Sequence, residues 1–280
     1  MRRAKKRGAV TVLERGSTHI AAQYDLMAEE AARWNVVPPA NAIPDPRLIA
    51  KEMREYEEAD YIAIPSSFVR RTFVERGIPE EKLIVVPYGA DLEKFRPVPK
   101  EDNVFRVTHI GGSIRKGTQY LLQALTELNL PNSELVLIGS PDIVVQRFLD
   151  AYPGRLVHRR GVPQTELYKY YSNSSVYVLP SIEEGLAMAQ LEAMACGVPI
   201  LCSTNTGGED VIRDGVDGYV VPVRDVGALK ERLLALHSDE ATRVEMGRSA
   251  RKRAAEFTWE RYGREILARY QTAWEAKNRR

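Results

Sequence analysis

The chain has 280 residues, 44% of them apolar and 28% charged, the composition of an ordinary globular protein of one or two domains. Lys and Arg number 40 against 38 Asp and Glu, so the net charge of +2 supplies no global field that argues for a nucleic-acid partner. Two cysteines, Cys196 and Cys202, exclude a disulfide scaffold and lack metal-ligand spacing, no apolar run approaches the roughly 18 residues of a membrane span, and residues 1–7 precede no signal-peptide core; a reducing, cytoplasmic setting is expected.

The basic start, residues 1–7, reads as a solvated helix or frayed terminus, with peripheral contact to anionic lipid, or contact to nucleic acid, as the alternative. Residues 9–13 form an apolar run expected to be a strand. It delivers Glu14-Arg15-Gly16-Ser17-Thr18-His19 to its carboxyl end, ahead of a helix over 20–34. Ligands of open α/β sheets bind at such ends, so His19 is a candidate hydrogen-bond donor to a sugar or phosphate; the plain alternative is a helix-cap neighbour. Four prolines between residues 34 and 46 demand a loop, followed by a helix over 47–58. A strand over 61–64, a helix over 68–76 capped by Ser66 or Ser67, and a strand over 83–86 lead to a turn-rich linker ending near Pro97. Three strand candidates in about 97 residues fall short of the six or so of a doubly wound domain. The first part is therefore expected to be partial, with strand edges exposed unless another chain covers them.

From residue 98 the pattern becomes regular. A strand over 104–110 runs into Gly111-Gly112-Ser113-Ile114-Arg115-Lys116-Gly117 and a helix over 118–128, a strand, glycine loop and helix with a basic pair that suits a diphosphate. A glycine-rich turn carrying a surface Lys is the plain alternative. Strands over 134–138, 155–158 and 176–179 alternate with helices over 143–151 and 165–171, which implies a parallel sheet with right-handed crossovers. Gln164-Thr165-Glu166 reads as a helix cap and first turn. Arg160-Gly161-Val162-Pro163 falls at a strand end.

After the strand over 176–179 comes Ser181-Ile182-Glu183-Glu184-Gly185-Leu186-Ala187-Met188-Ala189-Gln190-Leu191-Glu192-Ala193-Met194-Ala195-Cys196-Gly197-Val198-Pro199. Its helix is expected to start near Ala187 and to stop at Ala195, before Gly197 and Pro199. Unpaired N–H groups and the helix dipole would favour an anion at that start. Glu184 and Glu192 are placed to accept bonds from hydroxyls on either side of it; read singly, they are a helix N-terminal acid and a solvated helix residue. A strand over 199–202, a glycine turn at 207–208, a hairpin-like turn at 214–218 and helices over 228–236, 243–257 and 258–277 complete the chain.

The string Glu-Gly-x-x-x-x-x-Leu-Glu-Ala-Met-Ala-x-Gly-x-Pro resembles the signature of the retaining GT-B glycosyltransferases of family 4, the glycosyl transferases group 1. The family often has Gly and Pro where this chain has Ala187 and Ala189. The resemblance implies an α/β fold of GT-B type, with a partial N-terminal Rossmann-like domain over 1–97 and a complete C-terminal one over 98–257. A last helix over 258–280 would cross back, with Trp259 and Tyr262 as packing residues.

The resemblance also assigns roles. Glu184 contacts the donor sugar and Glu192 the ribose; the backbone of Gly185, Leu186, Ala187 and Met188 holds the diphosphate with Lys116. Gly111 and Gly112 stand where the family usually has Gly-Arg, so Arg115 supplies the guanidinium. Val162 lies where main-chain groups hold the base, and His19 faces the donor from the first domain. The implied activity is metal-independent transfer of a hexose, with retention, from a UDP- or GDP-sugar to a sugar, lipid or other hydroxyl acceptor, with no permanently bound cofactor.

Alternatives are a non-catalytic nucleotide-sugar-binding subunit, or an inactive fragment, needing a partner chain or a second copy to complete the first domain. A GT-B-shaped epimerase would need further acid–base carboxylates in the first part. A dinucleotide dehydrogenase is disfavoured because no Gly-x-Gly-x-x-Gly follows either first strand.

Overall fold

The computed structural model describes residues 1–37 and 45–278, and within them the chain builds two parallel sheets. Most of the proline-rich loop expected between 34 and 46 lies outside the described residues. In chain order the first unit comprises α1 (Arg2–Lys5), β1 (Val12–Glu14), α2 (Ile20–Arg33), α3 (Pro46–Glu58), β2 (Tyr61–Ile64), α4 (Ser67–Val74) and β3 (Leu83–Val85). Its strands lie in the order β1-β2-β3, so β1 and β3 are both edges. Asp45 and Ser66 cap α3 and α4 by accepting from the N–H of Arg47 and Val69, which satisfies donors the helices cannot satisfy themselves.

The second unit comprises β4 (Phe105–Ile110), α5 (Thr118–Leu128), β5 (Ser133–Ile138), α6 (Ile143–Asp150), β6 (Leu156–Arg159), α7 (Leu167–Ser172), β7 (Val176–Leu179), α8 (Met188–Ala195), β8 (Ile200–Ser203), α9 (Gly208–Val211), β9 (Gly218–Val221), α10 (Val226–Ser238) and α11 (Glu240–Ala254). The strand order β6-β5-β4-β7-β8-β9 reverses between β4 and β7, the switch point at which such sheets bind ligands. Every residue of β7 and β8 is buried, as a sheet covered on both faces requires. Val176 and Val178 point to the face packed by α5 and α10, while Tyr177 and Leu179 point to the face packed by α8 and α11. The helix expected from Thr165 begins only at Leu167. Glu166 makes no side-chain cap, and its N–H instead closes a turn onto the Pro163 carbonyl.

The last helix, α12 (Trp259–Asn278), lies on the first sheet. Tyr262, Ile266 and Tyr270 pack against Ala63, Ile84 and Val86, and the Tyr270 hydroxyl donates to Glu14 at 2.7 Å. Tyr88, Trp259 and Tyr262 form an aromatic cluster with ring centroids 5.6–6.1 Å apart. Here the two crossings between the units touch. Ala90 bridges Thr258, and a Cβ on Gly89 would stand 2.2 Å from the Thr258 carbonyl carbon.

Helix α2 belongs to both units. Ile20 packs with Tyr56, Ile62, Val69 and Phe73 of the first, whereas Met27, Ala31 and Trp34 pack with Ile114, Val144 and Phe148 of the second. Within the second patch Glu30 is fully buried. Its carboxylate accepts from Trp34 Nε1 (2.7 Å), Gln119 Nε2 (2.9 Å), Tyr120 Oη (2.8 Å) and Arg224 Nε (2.7 Å). Replacing Glu30 by Ala removes the acceptor and leaves a cation and three neutral donors in apolar surroundings. The expected loss is about 3–5 kcal/mol of unfolding free energy in urea titrations, with Glu30→Gln losing less.

Candidate functional site

Three strand ends converge at the switch point. β4 ends in Gly111-Gly112 and a 3-10 turn over Ile114–Lys116, β7 ends in the segment Pro180 to Ala187, and β1 ends in Arg15 to His19. Lys116 Nζ stands 2.7 Å from Glu184 Oε1, and Arg115 NH1 stands 3.1 Å from Glu184 Oε1 and 3.3 Å from Glu183 Oε2. Two cations and two carboxylates thus form one neutral cluster. Its members differ in access to water: the side chain of Glu183 is fully buried and that of Glu184 is 11% exposed, against 24% for Lys116 and 35% for Arg115.

Glu192 lies farther along, on α8, buried and accepting from the Tyr171 hydroxyl at 3.0 Å. Burial pushes its carboxyl up, a tendency opposed by the Tyr171 hydrogen bond and the Lys94 charge. The buried phenol of Tyr177 connects the two expected acids. Desolvation raises its pKa first, and the charges of Glu184 and Glu192 raise it further, so both carboxylates bear on this one side chain.

Residues 184–187 are not helical; α8 begins at Met188, with Ala187 as an N-cap that makes no side-chain hydrogen bond. Leu186 and Ala187 are buried, whereas Met188 is 37% exposed and opens the helix start to the surface. Gly185 is packed rather than open. Ser66 Oγ donates to its carbonyl at 2.6 Å, and a Cβ there would fall 1.8 Å from the Gly16 carbonyl oxygen.

The glycines of the β4 loop are also packing positions. A Cβ on Gly112 would meet the Ser140 carbonyl oxygen at 2.3 Å, and one on Gly111 would meet His109 Nε2 at 2.7 Å. Val162 is half-buried in an otherwise exposed loop after the edge strand β6.

His19 is the residue whose position departs most from its expected role. Its Nδ1 accepts from the Ala21 N–H at the start of α2, and its ring lies buried among Tyr56 and Phe73, 4.9 and 5.1 Å between centroids. The ring faces the first unit's core rather than a donor across the cleft, because an apolar aromatic cage and a helix needing a cap both claim it. Glu183, given no role from sequence, is instead central. Two adjacent acids after a fully buried strand could have signalled it, since alternation turns one of the pair inward.

Both cysteine thiols are buried and pushed up to about 12, so they remain protonated packing groups. Among the described residues, no group of three or more His, Cys, Asp or Glu side chains is arranged to hold a metal ion, and no helix is long and apolar enough to cross a membrane.

Residues 92–253 match the family described as "Glycosyl transferases group 1". The chain belongs to that family. A D-inositol 3-phosphate glycosyltransferase from Kribbella flavida is 30% identical over 83% of this chain and 61% of its own length. A GDP-mannose-dependent alpha-(1-6)-phosphatidylinositol monomannoside mannosyltransferase from Mycolicibacterium smegmatis is 28% identical over 69% of this chain and 57% of its own. The chain thus spans about three-fifths of the length of these curated relatives. Among solved structures, sucrose-phosphate synthase from Thermosynechococcus elongatus superposes with a TM-score of 0.72 at 24% identity, covering 90% of this chain and 67% of that one. HepE from Anabaena, in complex with UDP-glucose, gives 0.73 at 16% identity, covering 96% and 74%. The fold is that of the GT-B glycosyltransferases.

Two buried histidines, His19 and His109, make stability depend on pH. His109 lies under the glycine loop with Nδ1 2.8 Å from the Val178 carbonyl and Nε2 2.8 Å from Thr118 Oγ1, so Nδ1 carries the proton and Nε2 accepts. Burial, with Lys116 nearby, lowers it to about 4; burial, with Arg76 and Arg15, lowers His19 to about 4. The unfolded chain takes up these protons near pH 6.5 and the folded chain does not. Their contribution is therefore complete above about 6.5 and is lost as pH falls toward about 4, on the order of 2 kcal/mol per ring by pH 5. Unfolding titrations at pH 7 and 5 should show a smaller pH slope in His109→Gln than in the parent; an unchanged slope would remove His109 from this account.

Proposed function

We propose that the chain transfers a sugar from a nucleotide-diphosphate sugar to a hydroxyl acceptor, with retention of configuration and without a bound metal. The observation that carries this reading is the Arg115–Lys116–Glu184 cluster at the switch point beside the open start of α8. A diphosphate arriving there would compete with Glu184 for Lys116, and the released Glu184 carboxylate would then accept from sugar hydroxyls. Negative charge developing on the leaving diphosphate would meet Lys116, Arg115 and the N–H groups around Met188, donors fixed before the reaction begins. Glu192 would hold the ribose. Main-chain groups near Val162 would meet the base, and the acceptor's own hydroxyl would attack on the face the diphosphate leaves. His19 would contribute by holding the loop over 15–18 rather than by touching the donor. The names of the relatives support a nucleotide-sugar donor, one being GDP-mannose-dependent and HepE being bound to UDP-glucose.

A binding subunit completed by another chain is the second reading, favoured by the two open edges of the three-stranded sheet. Incubation of the purified chain with UDP- and GDP-sugars, with and without hydroxyl acceptors, separates the two. Release of nucleoside diphosphate supports the enzyme, and tight donor binding without release supports the subunit.

Two variants test the assigned contacts by calorimetry. Glu192→Ala should weaken nucleoside diphosphate binding by about 1.5–3 kcal/mol, the worth of a hydrogen bond to a charged acceptor; unchanged affinity removes the ribose contact. Lys116→Ala should weaken diphosphate binding by about tenfold more than monophosphate binding. Equal losses for both would remove Lys116 from the diphosphate.

A further inference from the structure

We propose that Glu183 is a positioning residue that keeps the Arg115 guanidinium aimed at the donor diphosphate, an inference that rests on the donor-site reading above. Glu183 is fully buried, and its carboxylate gathers three separate segments. Oε1 accepts from Ser17 Oγ (2.6 Å), Thr18 N (3.2 Å) and Thr18 Oγ1 (2.8 Å), while Oε2 accepts from Gln23 Nε2 (3.3 Å) and Arg115 NH1 (3.3 Å). The same Arg115 nitrogen donates to the Glu183 carbonyl at 3.1 Å, and the Arg115 carbonyl accepts from the Ile182 N–H at 2.8 Å. The arginine is thus held by side chain and by both backbones.

The two neighbouring glutamates differ in what they can release. Among the described residues, Arg115 is the only cation within ion-pair distance of Glu183; its other partners, Ser17, Thr18 and Gln23, are neutral. A carboxylate sealed from water gives up its sole cation at high cost. Glu184 is partly wet and can exchange Lys116 for sugar hydroxyls and water. An entering diphosphate therefore draws Lys116 away from Glu184 but finds Arg115 still anchored through NH1, with the rest of its guanidinium, 35% exposed as a side chain, free to donate. Because Ser17, Thr18 and Gln23 belong to the first unit, the aim of Arg115 depends on that unit being seated.

The decisive experiment exploits a difference in sign. Removing a negative charge beside a phosphate site tightens anion binding if charge alone matters, whereas loss of the anchor weakens it. Calorimetric titration of the full chain with UDP, UMP, GDP and GMP should show Glu183→Gln losing about tenfold in affinity for whichever nucleoside diphosphate the parent binds, with the matching monophosphate changed by less than about threefold. Arg115→Ala should lose the same amount, and the double variant no more than either alone. Tighter or unchanged diphosphate binding by Glu183→Gln overturns the positioning role while leaving the donor-site reading in place. A parent chain that binds neither diphosphate overturns the donor-site reading and this inference with it. If Glu183→Gln does not fold, Ser17→Ala/Thr18→Val, which removes the two hydroxyl donors and leaves the carboxylate with Thr18 N, Gln23 Nε2 and Arg115 NH1, should lower the diphosphate-to-monophosphate affinity ratio by about threefold; an unchanged ratio there is equally fatal.

Discussion

Two buried carboxylates seat one helix in two units, and the rest of the architecture follows from that seating. Glu30, in the last turn of α2, is satisfied mainly by side chains of the second unit, and Glu183, beside Glu184, mainly by side chains of the first. Each unit thus supplies a buried acid that draws most of its hydrogen bonds from the other, while Trp34 and Arg115 serve Glu30 and Glu183 from within their own units. The apolar contacts of Met27, Ala31 and Trp34 add area but little direction, whereas a carboxylate with four or five donors tolerates one register. Arg224, which reaches both Glu29 and Glu30, adopts a positive φ of 65°, a backbone cost accepted where the ion pair requires it.

The switch point carries a matched pair of charges rather than a bare cationic pocket. Arg115 and Lys116 are already paired, so an incoming anion would have to displace Glu184 from them. On the donor-site reading proposed above, a ligand would have to offer both a diphosphate for the cations and hydroxyls for Glu184 if the exchange is to be favourable, and a simple phosphate would offer only the first. Selectivity then arises from what the protein must give up, not only from what it gains.

Much of this was legible in the chain. The alternation of strands and helices after residue 104, the helix ending at Ala195 before Gly197 and the last helix beginning at Trp259 follow from local chemistry: apolar runs of strand length, a glycine stop and good helix formers. The proximity of Lys116 and Arg115 to Glu184 rested on a long motif and a glycine loop at neighbouring strand ends. What local pattern could not convey was competition between neighbours. His19 was claimed by α2 and an aromatic cage built from Tyr56 and Phe73, residues 37 and 54 positions away in the sequence. Gly111 and Gly112 read as room for a ligand but are room for His109 and the Ser140 backbone. Glu30 carried no local signal, because three of its four partners lie about 90 and 194 residues downstream.

The two crossings between the units constrain how the units can move. Gly89 and Thr258 lie backbone against backbone, so the outgoing and returning strands of the chain are pinned at a single spot. Separation of the units by translation would tear that spot apart, whereas rotation about it would leave it intact. A rotation that opened the cleft would therefore also have to break the side-chain ties made elsewhere between the units, Glu30 to Arg224 and Glu183 to Ser17 and Thr18 among them.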